Sequence, residues 1–87
     1  MTIELYGMAR HLAGSPTLEV GGERLTRREL VRALATMPAM VGHVVDAERE
    51  RFVEPNMLLL DGRRAIGDDE PFVAADRPCV LFLASGG

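Results

Sequence analysis

The sequence predicts an α+β domain: a mixed sheet of about five strands, one main helix packed across it and a second short helix. Three observations carry this expectation. Thr2 to Tyr6 alternates polar and apolar residues, as a half-buried strand does. Thr26 and Glu29 form an S/T-x-x-E pair just before a stripe of apolar residues at helical spacing. Cys79-Val80-Leu81-Phe82-Leu83 is a short continuous apolar run with the length of a buried strand. Eighty-seven residues allow one such domain.

The elements follow in order. In the first strand Ile3 and Leu5 share a face and Gly7 ends the run. Met8 to Gly14 has room for one helical turn before Gly14-Ser15-Pro16 breaks it, and Thr17 to Val20 reads as a second strand closed by Gly21-Gly22. The main helix starts at the Thr26/Glu29 capping box and carries Leu30, Leu34 and Met37 on one stripe, widened by Val31 and Ala33, until Pro38. Arg27 and Arg28 fall in its first turn, where the helix dipole disfavours cations by up to about 1 kcal/mol. They mark either a partner surface or an ordinary solvated face.

Ala39 to Asp46 is expected as the second, weak helix, although Val41, Val44 and Val45 are β-branched and lower its propensity. The mixed-charge run Ala47 to Arg51 is a solvated loop or helix end. Met57 to Leu60 forms a buried strand, Asp61-Gly62 a tight turn with positive φ, and Arg63 to Ile66 a short partner strand. The acidic turn Gly67 to Pro71 and the loop Ala74 to Pro78 lead into the last strand, Cys79 to Leu83. The crossover rule favours the first and last strands side by side in the centre of the sheet. This is the β-grasp, or ubiquitin-like, arrangement. Residues 1–83 make the domain, and 84–87 a flexible tail ending in Gly-Gly.

Composition narrows the function classes. Hydrophobic residues are 47% and charged residues 26%, which is globular composition. No apolar run approaches the roughly 18 residues of a membrane span, and the first residues lack the basic stretch of a secretory signal, so a cytoplasmic protein with no membrane partner is expected. A net charge of −3 argues against a nucleic-acid partner. One cysteine, Cys79, and two separated histidines, His11 and His43, give neither a disulfide nor a metal site, and no bound cofactor is expected. Cys79 reads as a small hydrophobe in an apolar strand, not a sulfur relay.

The ending Ala84-Ser85-Gly86-Gly87 carries the strongest functional signal. Glycine has no Cβ, so a Gly-Gly end passes through a channel too narrow for side chains, which makes the Gly87 carboxylate the candidate reactive group. A frayed terminus has the same composition. All ten basic residues are arginine, leaving no lysine on the chain to capture an activated C-terminal acyl group. A coding bias toward arginine gives the same result.

With these elements in place, the chain resembles the ubiquitin-like sulfur carriers of the molybdopterin-synthase small subunit and thiamine sulfur carrier family (MoaD/ThiS-type). The resemblance runs nearly the whole length: Ile3 to Gly14 is similar to that family's opening strand and its Ala, Arg, Leu and Gly pattern, followed in order by the capped helix, the Leu60-Asp61-Gly62 turn and Gly86-Gly87. Departures at Asp61-Gly62, Ala75-Asp76-Arg77-Pro78 and Leu83-Ala84 leave the pathway open: length and the second helical segment favour the molybdopterin type, and the missing prolines leave room for a carrier in cysteine or sulfur-containing natural-product biosynthesis. The resemblance implies that an E1-like enzyme uses ATP to adenylate the Gly87 carboxylate. A sulfide or persulfide donor then displaces AMP, and the resulting thiocarboxylate gives sulfur to a synthase partner. It implies a carrier acting with partner enzymes, not an enzyme by itself.

The same resemblance assigns Ala84, Ser85 and Gly86 to a partner's channel and Tyr6 and Leu81 to partner docking. Alternation puts Val80 and Phe82 on one face of the last strand and Cys79, Leu81 and Leu83 on the other. Leu81 is exposed if Val80 and Phe82 face the helix, and core if both faces of the strand are covered. Three readings stand: sulfur carrier, protein modifier conjugated to target amines through Gly87, and plain β-grasp interaction module.

Overall fold

Ile3 and Leu5 are buried, Thr2 is exposed and Glu4 half-buried, so the alternation of the first strand, β1 (Thr2–Leu5), is kept in three dimensions. The structure is a computed structural model and describes residues 1–82. β1 sits in a four-stranded sheet of order β2-β1-β8-β6, with β2 at Thr17–Glu19, β6 at Asn56–Leu60 and β8 at Pro78–Phe82. It pairs parallel to β8 with Leu5 opposite Val80, while β2 and β6 run antiparallel to their neighbours. The first and last strands therefore form the central pair, as their sequence order predicts.

The main helix, α2 (Arg27–Leu34), opens on the predicted capping box: Glu29 N–H donates to Thr26 Oγ1 at 3.1 Å and Thr26 N–H donates to Glu29 Oε1 at 2.9 Å. Its Leu30, Val31 and Leu34 are buried with Ile3, Leu5, Leu58, Leu60 and Val80 of the sheet in one core. Arg27 and Arg28, with side chains 31% and 34% exposed, sit on a solvated face whose charges are paired. The Arg27 guanidinium grips Asp68, Arg28 lies 3.3 Å from Asp69 and 3.6 Å from Asp68, and the Arg28 N–H donates to the Asp68 carbonyl at 3.1 Å. Arg32 pairs with Glu50. The acidic turn is thus tied to the helix start, and its carboxylates offset the dipole cost of the cations.

The second helix lies elsewhere than expected. α1 spans Gly7–Ala13, where one turn is predicted, and closes at Gly14, whose φ of 70° lets its N–H donate back to the Arg10 carbonyl at 3.0 Å. Ala39 to Asp46 is not helical. The Val44 and Val45 N–H groups both donate to the Met40 carbonyl, Gly42 takes a φ of 85°, and its N–H donates to Val45. These turns bury Met40, Val44 and Val45 without a helix, as β-branching and a left-handed glycine allow. The Ala47–Glu50 run makes the turn between β4 (Val45–Asp46) and β5 (Arg51–Phe52), as a solvated loop.

Arg63 to Ile66 is not a strand either. Asp61 and Gly62 take φ of 54° and 68°, the expected positive-φ turn, but only Leu60 and Arg64 then pair before the chain leaves to bury Ile66. Strands β3 (Arg24–Thr26) and β7 (Pro71–Val73) pair antiparallel with Leu25 opposite Phe72, and both side chains are buried. At three residues each, they are too short for alternation to announce them. A 3₁₀ turn (Ala74–Asp76) links β7 to β8.

Candidate functional site

The parallel pairing of β1 and β8 builds the site. Tyr6 follows β1, and its N–H donates to the Val80 carbonyl at 2.9 Å, which extends the pairing by one residue before α1 starts. Val80 is fully buried, so the pleat turns Cys79 and Leu81 to the outer face of the sheet. Leu81 lies opposite Met57 and is partly exposed, the branch in which Val80 faces the helix. Tyr6 is 45% exposed and lines one shallow depression together with Leu81, Cys79 and Phe82. The two docking candidates, 75 residues apart in sequence, are thereby brought together.

Phe82 departs from its expected place. It shares the parity of buried Val80 yet is 43% exposed, because it lies past the covered part of the sheet and packs over the start of α1. A Cβ on Gly7 would sit 3.0 Å from Phe82 Cβ, and Gly7 has a φ of 60°. Only glycine allows this approach at that φ. Met8 beside it is 40% exposed, so Tyr6, Met8 and Phe82 present apolar surface around the end of β8.

The rim of the depression is charged. The Tyr6 hydroxyl donates to Glu4 Oε1 at 3.0 Å, and the Arg77 guanidinium stands between Glu4 at 3.6 Å and Asp61 at 3.4 Å. The hydrogen bond to the Glu4 carboxylate, aided by its negative charge, holds the Tyr6 hydroxyl above its usual pKa. Burial pushes the Cys79 thiol up, offset in part by a backbone hydrogen bond from Gly62. Arg77 has a φ of 53°, an αL conformation that ends the 3₁₀ turn. Its carbonyl accepts the Asp61 N–H at 3.0 Å, tying the turn after β6 to the entry of β8.

Of the sequence-derived site residues, Tyr6 and Leu81 lie in this depression, while Ala84, Ser85, Gly86 and Gly87 lie outside the described residues. Phe82, Gly7 and the Glu4–Arg77–Asp61 rim were missed. Alternation alone points Phe82 inward, and Gly7 reads only as the end of a strand. Among the described residues, no three His, Cys, Asp or Glu side chains cluster as a metal ion would require. No helix among them is long and apolar enough to cross a membrane.

No protein-family model matches the chain, and no curated protein matches it. Solved structures do. The chain is similar to the crystal structure of H. volcanii small archaeal modifier protein 1, at 21% identity over 95% of both chains with a TM-score of 0.69. It is also similar to the crystal structure of SAMP1 from Haloferax volcanii, at 22% identity over 99% of this chain and 97% of that one, with a TM-score of 0.65. These likenesses establish the fold as α+β of the ubiquitin-like β-grasp kind.

Proposed function

We propose that this β-grasp chain is a sulfur carrier whose working end is the Gly87 carboxylate. The observation that carries the reading is the position of β8. It is a central strand that runs past the Tyr6–Leu81 depression directly into the sequence Leu83-Ala84-Ser85-Gly86-Gly87. A partner seated on the depression has the end of the chain within its reach.

In this reading a Gly87 carboxylate oxygen attacks the α-phosphate of ATP on an E1-like partner. Pyrophosphate leaves, and the carboxylate, a poor electrophile, becomes an acyl-adenylate with a good leaving group. Sulfide then attacks the carbonyl carbon and AMP departs with the electron pair, leaving a thiocarboxylate for a synthase to consume. A persulfide donor reaches the same product once a thiol reduces the disulfide it first forms. The carrier supplies the reactive end and the docking surface, and its partners position the reactants and catalyse. The molybdopterin-type acceptor comes with the family resemblance, and the cytoplasmic location, where ATP is at hand, with the lack of a span-length apolar run and of a basic secretory signal.

A second reading is favoured by the names of the two structural neighbours, both modifier proteins. A target amine there takes the place of sulfide, and Gly87 ends in an amide. The intact mass of the protein from its native host, with fragmentation of the C-terminal residues, tests both. One Gly87 oxygen replaced by sulfur supports the carrier. Gly87 found in amide linkage to other proteins supports the modifier. Activity that survives deletion of Gly87 overturns both and leaves an interaction module.

A further inference from the structure

We infer that the chain is a donor only: it withholds every amine nucleophile from its own activated C-terminal acyl group. The inference rests on the reading of Gly87 as the activated end. The basic residues are ten arginines and no lysine. A guanidinium stays protonated and does not attack an acyl carbon, whereas an ε-amine keeps a small reactive free-base fraction at neutral pH.

The α-amino group of Met1 is the remaining primary amine of this sequence, and the fold restrains it. Part-buried, it donates to the Val20 carbonyl at 2.7 Å and lies 3.6 Å from Glu19 Oε2. The parallel register also removes it from the working end. With Leu5 opposite Val80, Met1 and Phe82 lie at opposite ends of the central pair, six residue steps or about 20 Å apart. The five residues after Phe82 reach at most about 18 Å, so the α-amine stands at or beyond the limit of their reach.

Two other nucleophiles line the depression at the root of that segment. The Tyr6 hydroxyl is engaged with Glu4, and the Cys79 thiol is 4% exposed. Both are held in their protonated, weakly nucleophilic forms, Tyr6 by Glu4 and Cys79 by burial. Exposed His11 and His43 form only acyl-imidazoles, which water returns to the acid.

The reaction avoided is self-acylation. An amine lone pair attacks the Gly87 carbonyl carbon, a C–N bond forms as the C–O bond to AMP breaks, AMP leaves with the electron pair, and the amine proton passes to water. The amide product can no longer transfer anything.

The test uses the full chain with a Gly87 thioester, made by thiol cleavage of an intein fusion, so no activating enzyme is involved. Wild type, Arg77→Lys at the rim, Arg10→Lys on exposed α1 and Arg77→Gln as an amine-free control are followed by intact mass, with circular dichroism to confirm folding. Wild type and Arg77→Gln are expected to yield only the hydrolysed acid. At least one lysine variant should yield at least about tenfold more internal amide, one water lighter than the acid, because a tethered amine acts at high effective concentration. Internal amide in wild type at the level of the lysine variants overturns the inference, as does hydrolysis alone in both lysine variants. Neither result bears on whether a host enzyme activates Gly87, so the carrier reading stands or falls by its own experiment.

Discussion

Gly7 and Phe82 approach so closely that a Cβ added to Gly7 would meet Phe82 Cβ at 3.0 Å. This contact joins the start of α1 to the end of β8. Gly7→Ala places a side chain at a φ of 60° as well as in the contact, and is expected to cost about 1–3 kcal/mol in urea unfolding. In a Phe82→Gly background the same substitution should cost less. Equal costs in both backgrounds would mean that backbone strain alone, not the contact, explains the requirement for glycine.

Tyr6 and Leu81 share one depression although one follows the first strand and the other lies in the last. On the carrier reading, Tyr6→Ala and Leu81→Glu should each raise the KM for the chain by about tenfold in the pyrophosphate-exchange reaction of its activating enzyme, as loss of an interface anchor does. The kcat should change little. A fall in kcat at unchanged KM would move docking to another face.

Asn56 is buried at 5% exposure, and its amide donates to the carbonyls of His43 at 3.0 Å and Val53 at 2.8 Å. The side chain fastens the irregular segment before β6 to the sheet. Asn56→Ala leaves the His43 carbonyl without this donor, while the Val53 carbonyl keeps the Asn56 backbone N–H at 2.9 Å, and is expected to cost about 1–3 kcal/mol in thermal or urea unfolding. Amide exchange should quicken first in Val44 and Val45, whose N–H groups donate to the Met40 carbonyl within the segment that Asn56 fastens.

The Arg27–Asp68 and Arg32–Glu50 pairs make stability pH-dependent. Hydrogen bonding to Arg32 lowers the Glu50 pKa, and hydrogen bonding to Arg27 lowers that of Asp68. The folded state therefore binds fewer protons than the unfolded chain. The contribution is full above the ordinary carboxylate range and is lost as pH falls through it to the lowered folded-state values. Urea midpoints measured from neutral to acid pH should fall less steeply in Arg27→Gln and Arg32→Gln, with wild type and variants converging at acid pH. Salt should shrink the difference, since both pairs are near the surface.

Local chemistry was legible wherever one segment sufficed to decide the structure. The Thr26–Glu29 box, the Ile3/Leu5 alternation and the Asp61-Gly62 turn each form as read, because capping, pleat and positive φ are set by residues within a few positions. Ala39 to Asp46 and Arg63 to Ile66 were misread because their conformations depend on remote partners. Burial of Met40, Val44 and Val45 against the core outweighs the helical spacing of the valines, and Ile66 is drawn inward after a single bridge. Likewise, β3 exists only because β7 lies 47 residues later to pair with it.

The sequence by itself determined the fold class, the central placement of the first and last strands, the absence of lysine and the Gly-Gly ending that names Gly87 as the candidate reactive group. Only the tertiary structure decided that Tyr6 and Leu81 line one depression, that Phe82 turns out over Gly7, and that Arg77 bridges Glu4 and Asp61. The reason is one of range. Periodicity, caps and turns are fixed by neighbours along the chain. Which faces meet is fixed by the register between strands far apart in sequence, where a shift of one residue would send Leu81 inward and Val80 out.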